Sequence, residues 1–334
     1  MNRALVLVLG AVVLTAAGCG GGGGRSIVVY NGQHLALTRA MVSAFENTTG
    51  ISVRLRSNEG VVLADQVLQE GRSSPADVFL AENSPELVNL EEHGLLATLS
   101  RSVLRQVPAA DSSPQGRWVG VALRVGSLVY NPKLLPRSQL PASIVDLAAP
   151  QWKGKVAIAP LDADFPPVVG AVIAARGAAA AQSWLAGLKR NADVYQTEES
   201  VVAAVNRGDV ACGLINQYYW YRQRREVGAA AMHSTLHYFA AGDVGSVVYV
   251  SGAAVLASSS HRRDAERFVA FLVSQAGQRL IARGDDFEYP VRPGVAPNAA
   301  LPPLDRIAHS SLHAVALGDD RDAARLIVRA GFGS

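Results

Sequence analysis

The chain has 334 residues, 49% of them hydrophobic, and a formal net charge of +3. That is enough apolar material for two compact domains with their own cores, and too little charge for a nucleic-acid footprint. Two cysteines, Cys19 and Cys212, exclude a disulfide-stapled scaffold.

The first element in chain order is an export signal. Met1-Asn2-Arg3 precedes an uncharged apolar run over residues 4–17 that is too short to span a bilayer comfortably. Ala16-Ala17-Gly18-Cys19 resembles a bacterial lipobox, which implies that residues 1–18 are a lipoprotein signal peptide and that the sulfur of Cys19 is lipidated. An uncleaved anchor is the alternative, and it too leaves the protein outside the cytoplasm. Residues 19–25 read as a Gly-rich tether, since a glycine run buries nothing. Acylation of Cys19 leaves Cys212 without a partner, as a small buried hydrophobe in a strand.

Beyond the tether, short strands alternate with amphipathic helices. Ile27-Val28-Val29-Tyr30 is a strand, and Leu37, Met41, Ala44 and Phe45 recur at helical spacing until Gly50. Ile51, Val53 and Leu55 alternate as a strand, a helix covers about 61–70, and Asp77-Val78-Phe79-Leu80 is the next strand. The pattern continues with a helix at 85–92, two strands at 118–123 and 127–130, and a strand at 155–160. Helices follow at 168–176 and 178–190, strands at 211–215 and 247–256, and a helix at 263–274. Repeated βα units argue for an α/β protein built on open sheets with helices on both faces.

Such sheets bind ligands beyond the carboxyl ends of their strands. Three polar sets stand there: Asn31-Gly32-Gln33-His34, Ala81-Glu82-Asn83 and Gln217-Tyr218-Tyr219. Two phenols, one carboxylate and one imidazole form an oxygen-rich donor set. Ionised phenols and carboxylate would match a hard trivalent cation in charge, with neutral His34 as a fourth donor. Phenols ionise near pH 10, so a cation would have to drive their protons off, and affinity should fall with pH. Each residue also has a plain structural reading: tyrosine pairs are commonly half-buried aromatics, His34 would neighbour a helix N-cap, and Glu82 would be a cap or surface carboxylate. No local motif of the HExxH or CxxC kind decides between these.

Val29-Tyr30-Asn31-Gly32-Gln33-His34, Ser74-Pro75-Ala76-Asp77-Val78-Phe79, Leu214-Ile215-Asn216-Gln217-Tyr218-Tyr219-Trp220-Tyr221, Ser251-Gly252-Ala253-Ala254-Val255-Leu256 and Glu288-Tyr289-Pro290-Val291 closely resemble bacterial ferric-ion-binding proteins. These are the substrate-binding components of iron ABC transporters, and the similarity runs through nearly all of the mature chain. The resemblance implies that His34, Glu82, Tyr218 and Tyr219 hold Fe3+. It also implies a two-lobed periplasmic-binding-protein fold of the class II type, with two crossing hinge strands near 122–130 and 244–251. Lobe 1 is then residues 26–123 with 250–300, and lobe 2 is 124–249 with 301–334. The cation would bridge His34 and Glu82 on the first lobe and the tyrosines on the second, closing the hinge for a permease and its ATPase to read. The protein is expected to be extracytoplasmic, lipid-anchored at the membrane, a monomer, and not an enzyme.

One stretch departs from the family. Where relatives often cradle a synergistic carbonate or phosphate, this chain has Pro160-Leu161-Asp162-Ala163-Asp164-Phe165 and Thr197-Glu198-Glu199-Ser200, and Asn216 alone remains as an asparagine there. Carboxylates repel an anion. Either Asp162 or Asp164 replaces the anion as a ligand, with weak anion dependence, or both face solvent. Glu198 belongs to the same region. Asn83 would hydrogen-bond an iron-bound anion or water, or cap a loop, and Arg124 would neutralise the acidic cleft or position the hinge. Trp220 and Tyr221 are expected to pack beside the site, and Asp285-Asp286 to face solvent. Two other classes stay open. A binding protein for an organic solute such as a polyamine or phosphonate would line its cleft with aromatic boxes or anion-binding backbone. An exported enzyme would need a nucleophile elbow, a zinc motif or a phosphate loop, and none is visible.

Overall fold

The computed structural model describes residues 25–240, 242–307 and 317–333. The signal segment 1–18, the lipidation residue Cys19 and the tether glycines 20–24 lie outside the described residues.

Strand β1 (Ser26–Asn31) leads into helix α1 (Leu35–Thr49), whose Leu37, Met41 and Phe45 are buried at the expected spacing. Gly50 ends the helix in the left-handed region at φ 67°, its N–H donating to Glu46 O at 2.8 Å. The Phe45 ring meets Phe268 edge-on at 5.0 Å, and burying such a side chain contributes about 1.5–3 kcal/mol. Next come β2 (Ser52–Ser57), α2 (Gly60–Glu70), β3 (Val78–Ala81), α3 (Ser84–Glu92) and the single turn α4 (Arg101–Leu104). Gly32 lets the loop after β1 press on α2, since a Cβ there would lie 2.7 Å from Gly60 Cα.

Instead of the two strands expected at 118–123 and 127–130, one continuous strand, β4 (Val119–Tyr130), runs through all twelve residues, every one buried. Arg124 and Gly126 interrupt the apolar run in sequence, yet the ladder continues because β4 pairs with β9 (Val248–Val255) along its first half and with β7 (Cys212–Asn216) along its second. Between them lie β5 (Val156–Ile158), α5 (Phe165–Arg176), α6 (Ala178–Asn191), β6 (Ala192–Val194) and α7 (Glu198–Arg207). Helix α8 (Gln217–Val227) starts directly after β7 and is followed by β8 (Thr235–His237). Helices α9 (Arg262–Leu272) and α10 (Gln275–Arg283), strand β10 (Tyr289–Pro290) and helix α11 (Arg321–Arg329) complete the order.

The strands form one curled sheet in the order β2-β1-β3-β9-β4-β7-β5-β6, with β8 and β10 also on β4. Its outer parts are parallel and its middle antiparallel, so β4 and β9 are the strands that pass between two α/β lobes. One core joins β1–β3, α1–α3 and α9. A second gathers Trp152, Trp184, α5, α6 and α11, with Trp184 Nε1 donating to Ile144 O at 3.1 Å. Cys212 is buried and free in β7, where burial pushes its thiol up to about 12.

Candidate metal centre

Each site residue sits where a strand ends. His34 follows β1, Glu82 and Asn83 follow β3, and Tyr218 and Tyr219 occupy the first turn of α8, straight after β7. The structure brings all four predicted donors together. His34 Nε2 lies 3.2 Å from Glu82 Oε1, and Tyr218 OH donates to the same oxygen at 3.3 Å. The imidazole and the Tyr218 ring are 5.1 Å apart, and the two tyrosine rings are tilted by 30° with centroids 3.9 Å apart.

The two aspartates separate. Asp164, 1% exposed, receives both phenols on Oδ2, Tyr218 OH at 3.2 Å and Tyr219 OH at 3.3 Å. Asp162 turns away: Oδ1 accepts from the Asp164 N–H at 3.1 Å and Oδ2 from the Glu198 N–H at 3.0 Å, which ties the loop to the start of α7. Neither faces bulk solvent in the way the alternative expectation required. Glu198 accepts the Asn216 N–H at 2.5 Å, while the Asn216 Oδ1 is buried without a partner. Asn83 donates to Asp164 Oδ1 at 3.1 Å and accepts from Arg124.

Arg124, fully buried on β4, knits the two walls. Nη1 donates to Glu82 Oε1 at 2.5 Å and to Asp164 Oδ1 at 3.2 Å, and Nη2 donates to Glu82 O at 2.5 Å and to Asn83 Oδ1 at 2.6 Å. Thus it both neutralises the acidic cleft and anchors the hinge strand to the first lobe. Trp220 donates from Nε1 to Ser234, and Tyr221 packs on Phe287. Asp286, expected in solvent, instead places Oδ1 3.4 Å from His34 Nδ1, with Glu288 Oε1 at 3.6 Å. Asp285 alone is the exposed member, paired with Arg225. Nothing in local spacing marked Asp286 and Glu288; the Glu-Tyr-Pro-Val block was the available signal.

Burial and charge set the protonation states. For Glu82, burial opposes ionisation, but Arg124, His34 and Tyr218 outweigh it and bring the carboxyl down to about 2. Burial likewise opposes charge on His34, yet Glu82, Glu288 and Asp286 raise it to about 9. Burial, then Asp164, holds both phenols well above the usual tyrosine range. Glu198 is raised well above the carboxylate range by burial and by Asp164 and Asp162, and Asp162 to about 7 by burial and Asp164.

His34, Glu82, Asp162, Asp164, Tyr218 and Tyr219 line a cavity of about 330 Å³ together with Glu59, Leu161, Thr197 and Arg222. Among the described residues no group of three or more His, Cys, Asp and Glu side chains is arranged to hold a metal. A metal would therefore depend on the phenols, and a phenol-rich oxygen set suits a hard, highly charged ion.

The family model for the bacterial extracellular solute-binding protein matches residues 73–307. The chain is 38% identical to the Fe(3+)-binding periplasmic protein of Serratia marcescens over 92% of this chain and 91% of that one. It is 37% identical to the major ferric iron-binding protein of Neisseria meningitidis serogroup B, over 92% and 93%. Iron-bound HitA from Pseudomonas aeruginosa superposes with a TM-score of 0.87 at 39% identity, covering 92% of this chain and 99% of that one.

Proposed function

This chain belongs to the bacterial extracellular solute-binding proteins, within their ferric-ion-binding periplasmic group, and from that premise we propose that it captures Fe3+ in the cleft and passes it to an ABC-type importer. The supporting observation is the convergence of Tyr218 and Tyr219 on Asp164, opposite His34 and Glu82. His34 Nε2, a Glu82 oxygen and two phenolates are the ligands. Asp164 supplies a further oxygen in the place a carbonate or phosphate takes in relatives, and Asn83, Asn216 and Glu198 shape that corner. Asp162 holds the loop instead of the metal.

Charge supports this arrangement. The carboxylates of Glu82 and Asp164 and two phenolates face the single guanidinium of Arg124, an excess of negative charge that suits a highly charged cation. An added phosphate or carbonate would bring excess negative charge into a buried cleft, where it is costly. Cation capture draws the lobes together because donors from both are satisfied only in the closed state. Lobe 1 is taken as residues 26–123 with 250–300 and lobe 2 as 124–249 with 301–334; α11 packs on the second core, as that division requires, whereas Leu301 and Ile307 pack on the first. The lipobox at Cys19 supports tethering by lipid to the outer side of the cell membrane, beside a permease and its ATPase.

Ferric titration tests the reading directly. Phenolate–iron charge transfer should colour the protein red to orange, and Tyr218→Phe or Tyr219→Phe should shift or remove the band. A protein that stays colourless with chelated ferric iron overturns it. Adding phosphate or carbonate should change affinity by less than about threefold, a difference under 1 kcal/mol. Strong anion dependence overturns the role given to Asp164.

A further inference from the structure

Among the described residues the non-glycine residues with positive φ are Asp320 and Phe287, the latter at 53°. A bulky side chain in that region costs about 1–2 kcal/mol, so the surroundings must hold it there. The Phe287 ring stacks on Tyr221 of α8, centroids 5.7 Å apart and 28° between planes. Its carbonyl accepts from Gln217 Nε2 at 2.9 Å, and Gln217 Oε1 accepts the Val125 N–H of β4 at 2.7 Å. Phe287 is thereby locked to the helix that carries both tyrosines and to the strand that crosses between the lobes.

Its two neighbours face the other way. Asp286 and Glu288 both approach His34 Nδ1, at 3.4 and 3.6 Å, and that nitrogen is buried with no hydrogen-bond partner, so these two carboxylates are the acceptors within reach of it. Glu288 is fully buried and is itself held by Gln33 Nε2, at 3.3 and 3.4 Å to its two oxygens, while Gln33 Oε1 accepts the His34 N–H at 2.6 Å. Pairing of Tyr289 with Leu123 fixes the register of this segment against β4. A metal-bound imidazole almost always donates its other N–H to an acceptor, which fixes its tautomer and orientation.

We propose that Asp286 and Glu288 are positioning residues for His34: they hold its Nδ1–H so that Nε2 faces the cargo, and Phe287 between them keys the imidazole to the tyrosine helix. The three-residue strap thus joins the ligand of one lobe to the pair on the other. This rests on the ferric-site reading above.

A double-mutant cycle on the full-length protein tests it, with ferric nitrilotriacetate as the iron source and nitrilotriacetate competition as the readout. The combined variant Asp286→Asn/Glu288→Gln should weaken ferric binding about tenfold, the low end of the range for partners of a metal-bound histidine. In a His34→Gln background the same pair should change affinity by less than about twofold, because the group it positions is gone. The phenolate–iron band should persist throughout. Asp286→Asn alone, at a partly exposed position, is the second variant should the buried pair impair folding, and it should show the same dependence on His34 at smaller size. Equal losses in both backgrounds, or no loss with His34 present, overturn the proposal. Indifference of iron binding to His34→Gln removes the ligand assignment and the strap with it. A His34-dependent site that ignores the double variant removes the strap alone.

Discussion

The two walls of the cleft prepare for a cation in opposite ways. On the first, Glu82 is held at about 2 and His34 at about 9, so carboxylate and imidazolium are charged before any cargo arrives. On the second, Tyr218, Tyr219 and Glu198 are pushed well above their usual ranges by burial and are neutral. An incoming ion breaks ion pairs and displaces one imidazolium proton on the first side, and displaces the two phenol protons on the other. Fully burying the phenols makes the second wall discriminating, because only a strongly polarising cation recovers the cost of ionising them.

The sharpest test of that contrast is acidity. Both phenols and the His34 imidazolium hold protons at neutral pH, and the metal must displace them, so lowering the pH strengthens the competitor. Below the His34 value of about 9, affinity should fall by up to about three decades per pH unit, with about three protons released per iron in a pH-stat titration. Release of a single proton would break the distinction between the walls. Tyr219→Phe should weaken ferric binding about a thousandfold, near 4 kcal/mol, and reduce proton release by one. On the other wall, Glu82→Gln should cost about thirtyfold, near 2 kcal/mol, and reduce proton release, because Glu82 is itself ionised but holds the proton on His34. Arg124→Lys should alter iron affinity least, within about tenfold, while lowering stability in urea by about 2 kcal/mol, because an ammonium cannot reproduce the forked contacts to Glu82, Asn83 and Asp164.

Much of this was legible along the chain because strands announce themselves locally. Alternating or continuous apolar runs marked β1, β3 and β7, and the donors stand immediately after them. The aspartates were visible as a departure, but their division of labour was not. Asp162 and Asp164 share a loop, and only its turn sends one to backbone N–H groups and the other to the phenols. Arg124 was expected to neutralise the cleft or position the hinge, but its partners, 40 to 42 positions away, are not legible locally. The strap was hidden for the same reason, lying |i−j| = 255 from Gln33 in its Glu288 contact. Helix α11 has a stripe of the same legible kind, Ala323, Leu326 and Ile327 at helical spacing.

The long strand β4 also has a bearing on when this protein acquires its shape. β3 pairs with β9, Val78 against Val255, and β4 pairs with β10, Leu123 against Tyr289. The N-terminal sheet therefore stays open-edged until most of the polypeptide has been made. Such distant pairings fold slowly, because loop-closure entropy is spent before contacts return it. A chain of this topology does not complete an N-terminal domain before its later strands are available to pair.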